Sequence, residues 1–290
     1  MVDQVIPEFI APPVLSTRSD ELSTIELSLL LEAVVQWSGF DFRQYAAATL
    51  KRRVAERMRA ENIETISALQ DRVLHDDEAL RQLIYAMSVS SNRLFHPAEY
   101  FGVVRERVIP VLRTYSFARL WFPGCACGED VYAVAAILLE AELLDRCMIY
   151  ATDPSDVALE QAREGVFDVR SFEDFSAEYS ASGGQMPVER FCTVSGTQLR
   201  FRDEIKKNII FARHHLATDS SLNEFHIIFS RRLLPQFNKT LQYRVHNLFL
   251  QSLVRFGFLC LGSSESLNAT PHEGVFRAVD PTFPIYRRIR

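Results

Sequence analysis

Two kinds of hydrophobic pattern divide the chain. Over residues 21–87 apolar side chains recur at helical spacing, as between Ile25 and Trp37, which predicts a series of amphipathic helices. These predicted helices cover residues 24–37, 41–60, 65–74 and 78–86. From about residue 118 onward, short apolar runs alternate with helical segments, a pattern typical of a doubly wound α/β sheet. The predicted strands cover residues 119–122, 148–152, 209–211, 225–230, 258–262, 275–279 and 285–287.

The same patterns suggest a domain organisation. We predict a small all-helical domain at residues 21–87, a polar connector at residues 88–104 and an α/β domain at residues 105–290. Residues 1–20 contain three prolines and show no periodicity, so we expect a flexible extension there. Residues 168–202 are rich in Ser, Gly and Glu and interrupt the α/β pattern. We interpret them as an insertion that forms a small β-subdomain.

The segment between residues 118 and 153 gives the clearest sign of a ligand site. Its first strand ends in a turn of small residues that begins at Gly124, and its second strand ends at Asp153. Glycines let the backbone approach a ligand at a helix N-terminus, and a carboxylate after the next strand can bind ribose hydroxyls. The dinucleotide pattern is not met, because Ala126 and Glu129 replace its second and third glycines. The turn suits S-adenosylmethionine; an ordinary crossover, with the aspartate capping a helix, fits it equally well.

The expected strand order places further residues near this turn. In an open α/β sheet, ligands bind at the carboxyl ends of the strands. If the predicted strands are correct, this rule aligns Gly124, Asp153, His215 and Arg232 along one edge of the sheet.

Composition narrows the classes of function. A net charge of −5 gives no general reason to expect a nucleic acid or an anionic membrane as partner. No apolar run is long enough to span a bilayer, and the N-terminus lacks the features of a signal peptide. Five scattered cysteines indicate the reduced thiols of a cytoplasmic protein. Cys125 and Cys127 have no second Cys or His pair at metal-ligand spacing, so no metal site is expected.

Basic residues concentrate in the second predicted helix, which contains Arg52, Arg53 and Arg57. Two interpretations fit this pattern. The arginines face an acidic partner, or they belong to a solvated helix face with i,i+4 pairs such as Arg52 with Glu56. A nucleic-acid partner is disfavoured because the basic patch is short and has no interleaved aromatic residues.

An ordered series of motifs from residue 25 to residue 288 resembles the CheR-type chemotaxis receptor methyltransferases. The helical domain of that family carries Tyr…Leu-Lys-Arg-Arg-Leu…Arg-Met, which residues 45–58 follow closely. The family's connector, which begins Ser-Val-Ser, is matched in part between Ser88 and Glu99. Its cofactor turn, Gly-Cys-Ser-Thr-Gly-Glu-Glu-Pro-Tyr-Ser, is matched at Gly124, Cys125, Gly128, Glu129 and Tyr132.

The resemblance implies a fold, a cofactor and a partner. It implies an α/β domain that binds S-adenosylmethionine, carries an inserted β-subdomain and methylates glutamate side chains of chemoreceptor helices. It also gives Arg52, Arg53 and Arg57 a candidate partner in the acidic receptor helices. Carried over by position, the candidate cofactor contacts are Asn92, Gly124, Cys125, Ala126, Glu129, Asp153, His215, Leu216, Arg232 and Leu233.

Departures from the family pattern concentrate at the expected reacting centre. His96 stands at the position of the family arginine, and a neutral histidine cannot clamp a carboxylate in a bidentate fork as arginine does. Arg232 replaces a pocket asparagine, and Gln236 replaces a pocket tyrosine. His96 and Arg232 are therefore the candidate catalytic residues. Arg232 either fills the pocket, closes it by pairing with Glu129 or Asp153, or takes over the carboxylate that the lost arginine would bind.

Two hypotheses of function follow. The first is an active protein-glutamate O-methyltransferase, in which the ionised glutamate is already the nucleophile and catalysis consists mainly of positioning and shielding from water. The second is a catalytically degenerate module of the same fold that binds a protein or a small ligand as a regulator. Retention of the cofactor turn favours the first, and the changes at His96, Arg232 and Gln236 favour the second.

Overall fold

The computed structural model describes residues 15–89, 93–169, 172–222, 224–268 and 270–290. The described part begins with four helices, α1 (Leu15–Ser38), α2 (Ala47–Glu61), α3 (Ile66–His75) and α4 (Asp77–Ser88). Polar caps begin the last two of them. The Thr65 side chain accepts a hydrogen bond from the Ala68 amide at 3.1 Å, and the Asp76 side chain accepts one from the Glu78 amide at 2.9 Å.

Helix α2 begins six residues later than the pattern predicted. Asp41 accepts a hydrogen bond from the Arg43 amide at 3.0 Å, which makes a turn in place of a helical start. Tyr45 then pairs as an isolated β-bridge with Phe237 from the far end of the chain. This long-range pairing overrides the local helical preference.

Helices α5 (Ala98–Val103) and α6 (Ile109–Leu112) lead into the sheet and are joined by a π-helical turn at Val104–Val108. A seven-stranded sheet follows. Its strands are β1 (Ala118–Pro123), β2 (Cys147–Asp153), β6 (Ile209–Arg213), β7 (Phe225–Ser230), β8 (Leu253–Leu261), β9 (Phe276–Ala278) and β10 (Ile285–Arg288). They lie in the order β6-β2-β1-β7-β8-β10-β9. The first five strands in this order are parallel, and β10 and β9 extend the sheet in antiparallel fashion.

A small antiparallel sheet overlaps the insertion predicted at residues 168–202. Its strands are β3 (Val166–Asp168), most of which precedes the predicted boundary, β4 (Cys192–Ser195) and β5 (Gln198–Phe201), in the order β3-β5-β4. Helix α9 (Phe172–Ala181) lies between β3 and β4 along the chain. The remaining helices are α7 (Glu129–Glu140), α8 (Asp156–Glu164), α10 (Asp203–Lys206) and α11 (Lys239–Ser252). The predicted fold class is confirmed: a helical region precedes an α/β sheet that carries a small β-insertion.

One hydrophobic core joins the N-terminal helices to the large sheet. Leu30 and Val34 of α1 belong to the same buried cluster as Trp121 of β1 and Phe249 of α11. The helical region therefore shares a continuous core with the α/β domain, and its helix α4 packs against α8. No described helix combines the length and the apolar character needed to cross a membrane.

Candidate functional site

The strand order reverses between β1 and β7, and the loops after these strands form the expected ligand edge. The turn between β1 and α7 contains three residues of positive φ, Gly124 (φ +62°), Ala126 (φ +48°) and Gly128 (φ +93°). Asp153, at the end of β2, holds this turn. Its Oδ2 accepts the Ala126 amide at 3.0 Å, and its Oδ1 accepts the Ser155 amide at 2.9 Å. Both carboxylate oxygens therefore bind backbone amides of the protein.

Asp153 is only 1% exposed, and burial raises its pKa to about 6 although the two amides oppose the shift. The sequence predicted this residue as a contact for the cofactor. Its observed contacts fix the shape of the turn and the start of α8, and the proposed ribose contact stays a prediction.

A second buried carboxylate holds the loop after β7. Glu265 is 5% exposed, and its Oε1 accepts the Leu233 amide at 3.1 Å and the Leu234 amide at 2.8 Å. Its Oε2 accepts the Arg232 amide at 3.0 Å and the Gly262 amide. Four backbone donors thus converge on one side chain, and they hold Arg232 in the left-handed conformation (φ +61°).

The role of Glu265 was missed by sequence reasoning. The sequence patterns assigned no role to Glu265. The available signal was an acidic residue three positions after Gly262. A Cβ at Gly262 would come 2.6 Å from Glu265 Oε2, so this glycine permits the contact.

The two loops enclose a narrow cleft. Gly124, Cys125, Ala126, Glu129 and Arg232 line it together, and their role as cofactor contacts stays a prediction. The cleft has a volume of about 30 Å³, against roughly 300 Å³ or more for a typical small-molecule site. Its narrowness has a local cause: Leu233 packs against the turn so closely that a Cβ at Gly124 would lie 2.8 Å from Leu233 Cδ1.

Glu129 begins α7 and carries a half-buried carboxyl group in this cleft. No side chain of the described residues donates a hydrogen bond to it. Burial raises its pKa to about 7, the charge of Asp130 adds to the shift, and Arg232 opposes it. Near neutral pH this carboxyl group can therefore accept or donate hydrogen bonds to a ligand.

Two arginines close the other side of the cleft. Arg232 Nη2 lies 3.8 Å from Asp130 Oδ1, so the predicted pairing with Glu129 or Asp153 is replaced by a long ion pair with Asp130. Arg231 Nη1 lies 2.6 Å from the same Asp130 oxygen. Its Nη2 donates to the His96 carbonyl at 2.7 Å, and its guanidinium stacks 4.3 Å from the Tyr100 ring centre. Arg231 is thereby fixed, whereas the Arg232 side chain is 31% exposed.

His96 takes part in this arrangement through its backbone carbonyl, which accepts the hydrogen bond from Arg231. Its exposed side chain turns toward α9, with Nδ1 3.7 Å from Glu178 Oε1, and it does not line the cleft. The expectation that His96 and Arg232 share a reacting centre is therefore corrected: the structure separates their side chains. The neighbouring candidate Asn92 lies outside the described residues.

His215 and Leu216 pack beneath the helical region. The ring centre of His215 lies 5.3 Å from that of Phe42 and 5.9 Å from that of Phe40, and neither ring nitrogen has a hydrogen-bond partner among the described residues. Burial lowers the pKa of His215 to about 4, so the ring is neutral at physiological pH. Leu216 is buried in the core cluster shared with the helices. Neither residue lines the cleft, and their proposed cofactor contacts stay predictions.

The three arginines of α2 do not form one exposed face. Arg52 is exposed and pairs with Glu56 at 3.0 Å, as the solvated-face interpretation predicted. Arg57 pairs with Glu61. Arg53 is only 2% exposed and donates to Gln236 Oε1 at 2.8 Å, so its expected place on a partner-facing surface is wrong. Its Nε and Nη1 atoms are buried without hydrogen-bond partners among the described residues.

A second cavity adjoins Glu129 on the side of the β-insertion. It has a volume of about 170 Å³ and an aromatic floor of Phe167 and Phe175. Four carboxyl groups but only one guanidinium line it, from Glu129, Asp168, Asp174, Glu178 and Arg93. An anionic ligand group is therefore favoured on the arginine side of Glu129 and disfavoured on this side.

The parallel sheet, the small-residue turn and the acidic residue that ends β2 define an α/β fold of the Rossmann-like class. Comparison with known proteins gives the family. The CheR methyltransferase all-alpha domain matches residues 25–88, and the CheR methyltransferase SAM binding domain matches residues 90–282. The chain belongs to the CheR methyltransferase family, and its cofactor is S-adenosylmethionine.

Named relatives agree with this assignment. A "Putative methyltransferase Cher3" of Pseudomonas putida is 36% identical over 93% of this chain and 99% of its own length. A "Chemotaxis protein methyltransferase" of Listeria innocua is 26% identical over 79% of this chain and 85% of its own. An uncharacterised 104.1 kDa protein of Rhodobacter capsulatus is 29% identical over 78% of this chain, which spans 24% of that protein.

The polar groups around the cleft fit S-adenosylmethionine. Glu129 offers a carboxyl group that no described side chain binds, and Ser230, at the end of β7, has a fully buried hydroxyl without a hydrogen-bond partner among the described residues. Such buried, unsatisfied groups are costly unless a ligand completes them. The Gly124–Ala126 backbone and Glu129 would hold the cofactor. Leu233 and Arg232 would have to move aside, because about 30 Å³ cannot contain it.

Proposed function

We propose that this protein methylates glutamate side chains on an acidic helical protein of the chemoreceptor kind. The observation that carries the proposal is the position of the Arg232 guanidinium, which lies partly exposed in the same cleft as the cofactor turn and Glu129. An arginine at this place can bind a carboxylate in a bidentate fork.

Methyl transfer to a glutamate side chain requires few catalytic groups from the protein. Bound S-adenosylmethionine supplies an electrophilic methyl group. A substrate glutamate is ionised at neutral pH and needs no general base. The chain's own residues then have three tasks: Arg232 orients the substrate carboxylate, the loop held by Glu265 fixes the backbone of Arg232, and the helical region limits access of water.

The sign of the local charge supports a carboxylate at Arg232. The cavity on the opposite side of Glu129 is lined by four carboxyl groups, which disfavour a second negative charge there. Arg231 and Arg232 both lie against Asp130, and the carboxyl groups of Glu129 and Glu265 also act on Arg232. A substrate carboxylate would compete with the long Arg232–Asp130 contact for the Arg232 guanidinium.

The partner surface is the exposed part of α2. Arg52 is solvent-exposed, and its pairing with Glu56 is weak enough to exchange for carboxylates of a partner helix. Arg53 is excluded from this surface by its burial, so we propose a narrower contact than three arginines would give.

One observation favours a second candidate function. The volume of the cleft is far below that of the cofactor, and Arg232 and Leu233 occupy the entrance to the turn. A CheR-like module that has lost methyl transfer and binds a protein as a regulator would keep this closed arrangement.

Transfer of a labelled methyl group to a purified receptor signalling-helix fragment distinguishes the two functions. We expect base-labile label on the fragment, label loss when its glutamates are replaced by alanine, and a large fall in rate for Arg232→Ala. The matched control is Arg200→Ala, because Arg200 is an exposed arginine of β5 in the small sheet. Absence of label with a folded protein that binds S-adenosylhomocysteine would reject the substrate assignment and favour the regulator.

A further inference from the structure

A cleft at the β9–β10 edge of the large sheet lies apart from the cofactor loops. It has a volume of about 510 Å³, within the range of small-molecule sites. Three guanidinium groups line it, from Arg107, Arg277 and Arg287, and its other lining side chains are apolar, among them Val111 and Phe258. No carboxyl group of the described residues belongs to its lining.

The positive charge of this β9–β10 cleft is uncompensated. Several arginines elsewhere pair with carboxylates, as Arg231 does with Asp130, whereas others, such as Arg288, bond backbone carbonyls. For Arg107, Arg277 and Arg287, no carboxylate of the described ranges lies within 4.0 Å. A concentration of unpaired cations on a chain with net charge −5 is the electrostatic signature of an anion site.

An irregularity in β8 shapes the cleft. The pairing of β7 with β8 shifts between Phe225 and Ile227, and the resulting bulge places Phe256 at φ +68° with 44% of its surface exposed. Bulky residues rarely adopt this conformation, and bulges serve to redirect a side chain. A Cβ at Gly257 would lie 2.9 Å from the His226 carbonyl oxygen, so glycine is required for the bulge.

The redirected Phe256 fixes the arginine beside it. Arg287 Cζ lies 5.7 Å from the Phe256 ring centre and 5.5 Å from that of Phe258. Its Nε donates to the Phe256 carbonyl at 3.2 Å, which leaves the terminal nitrogens for a ligand. Arg255 stacks on the Phe256 ring with its Cζ at 5.0 Å from the centre and adds a fourth positive charge nearby. A guanidinium held in this way is preorganised for bidentate contact with phosphate.

We propose that the β9–β10 cleft binds a nucleotide. Its phosphates lie on Arg107, Arg277 and Arg287, and its base lies on the apolar part of the wall beside Phe256. An open cleft of this volume can hold one small molecule, whereas a protein partner would need a more extended surface. Cationic groups next to an aromatic and aliphatic wall match the two halves of a nucleotide.

Calorimetric titration of the full chain with GDP tests this proposal. We choose a guanine nucleotide because an adenine ring could enter the S-adenosylmethionine site. Wild type and Asp153→Ala are expected to bind GDP alike, with an affinity that falls as salt is raised. The double variant R107Q/R277Q is expected to bind at least about tenfold more weakly, because two charge-assisted contacts are lost. The matched control R200Q, also an exposed arginine, is expected to leave GDP binding unchanged.

Several results would overturn the proposal. Absence of GDP binding, or equal binding by R107Q/R277Q with unchanged thermal stability, would show that the arginines hold no nucleotide. Equal affinity for pyrophosphate and GDP would show that the cleft binds the phosphates and does not recognise the guanine ring. Binding of a poly-glutamate peptide without binding of GDP would assign the surface to an acidic protein partner.

Discussion

In each of the two loops that enclose the cofactor cleft, a buried carboxylate accepts hydrogen bonds from backbone amides, but the number of amides differs. In the turn after β1, Asp153 accepts two backbone amides, from Ala126 and Ser155. In the loop after β7, Glu265 accepts four, from Gly262, Arg232 and the next two residues. Each carboxylate is buried and holds a left-handed residue beside the cleft.

The two loops differ in the groups that they present to the cleft. The Asp153 loop presents backbone to a ligand and needs only small side chains. The Glu265 loop presents the large cation of Arg232, and more amides anchor it. We therefore expect the two loops to differ in their contributions to stability and in their response to pH, and the following changes test this comparison in order of expected effect.

Replacing Glu265 with alanine should have the largest effect. Four buried N–H groups would lose their acceptor, and we expect a loss of about 4 kcal/mol in the free energy of unfolding, after partial relaxation and hydration of the loop. Urea denaturation measures this loss. Ser264→Ala, at the exposed neighbouring position, should change stability by less than about 0.5 kcal/mol. A loss below about 1 kcal/mol for Glu265→Ala would contradict the proposed anchoring.

The pH dependence of stability should report Asp153. Its pKa is raised from 3.8 to about 6 by burial, so the folded state holds this proton more tightly than the unfolded state. The stabilisation is present below pH 4 and is lost as pH rises through about 6, in total about 3 kcal/mol. Glu129 and other carboxyl groups with raised pKa values contribute a pH dependence of the same sign. The informative quantity is therefore the difference in the free energy of unfolding between wild type and Asp153→Asn. If this difference is constant between pH 4 and 7, the pKa of Asp153 is not raised by burial.

Arg231→Lys tests the link between the Glu265 loop and the connector. Lysine lacks the two separated nitrogens that reach Asp130 and the His96 carbonyl, and it cannot stack flat on Tyr100, so we expect a loss of about 2 kcal/mol in the free energy of unfolding. Thermal or urea unfolding measures it. Arg202→Lys is the matched change, because among the described residues this exposed side chain bonds the Glu189 carbonyl alone, and it should be nearly neutral. Equal effects of the two substitutions would argue against the link.

Arg52→Ala should have the smallest effect on the fold. Its pair with Glu56 is exposed, and the expected loss of stability is below about 0.5 kcal/mol. Its affinity for a receptor helix fragment should nevertheless fall, and more so at low salt. Unchanged affinity, measured beside Arg200→Ala, would remove α2 from the proposed partner surface.

Much of the cleft could be predicted from sequence because local patterns determine it. A short apolar strand, a turn of small residues and a helical pattern identified Gly124 to Glu129, and the next strand ended at Asp153. The parallel order of the strands then places the end of β7 beside this turn. These inferences need only hydrophobic periodicity and the topology of α/β sheets.

The remaining features depend on contacts that periodicity does not encode. Arg53 has the spacing of an exposed basic residue, yet it is buried because Gln236, 183 positions away, provides its hydrogen bond. Glu265 anchors Arg232 from 33 positions away. Likewise, the start of α2 is displaced by pairing with Phe237. Tertiary contacts override local preference at each of these places.

Calorimetric titration with S-adenosylhomocysteine tests the central claim that the two anchored loops form a working cofactor site. The proteins to compare are wild type, Asp153→Asn, Glu265→Gln and the control Ser264→Ala, each verified as folded by near-ultraviolet circular dichroism. The account predicts micromolar binding to wild type and control, and a loss of at least about tenfold in both carboxylate variants. A folded wild-type protein that does not bind, or carboxylate variants that bind as well as wild type, would contradict it.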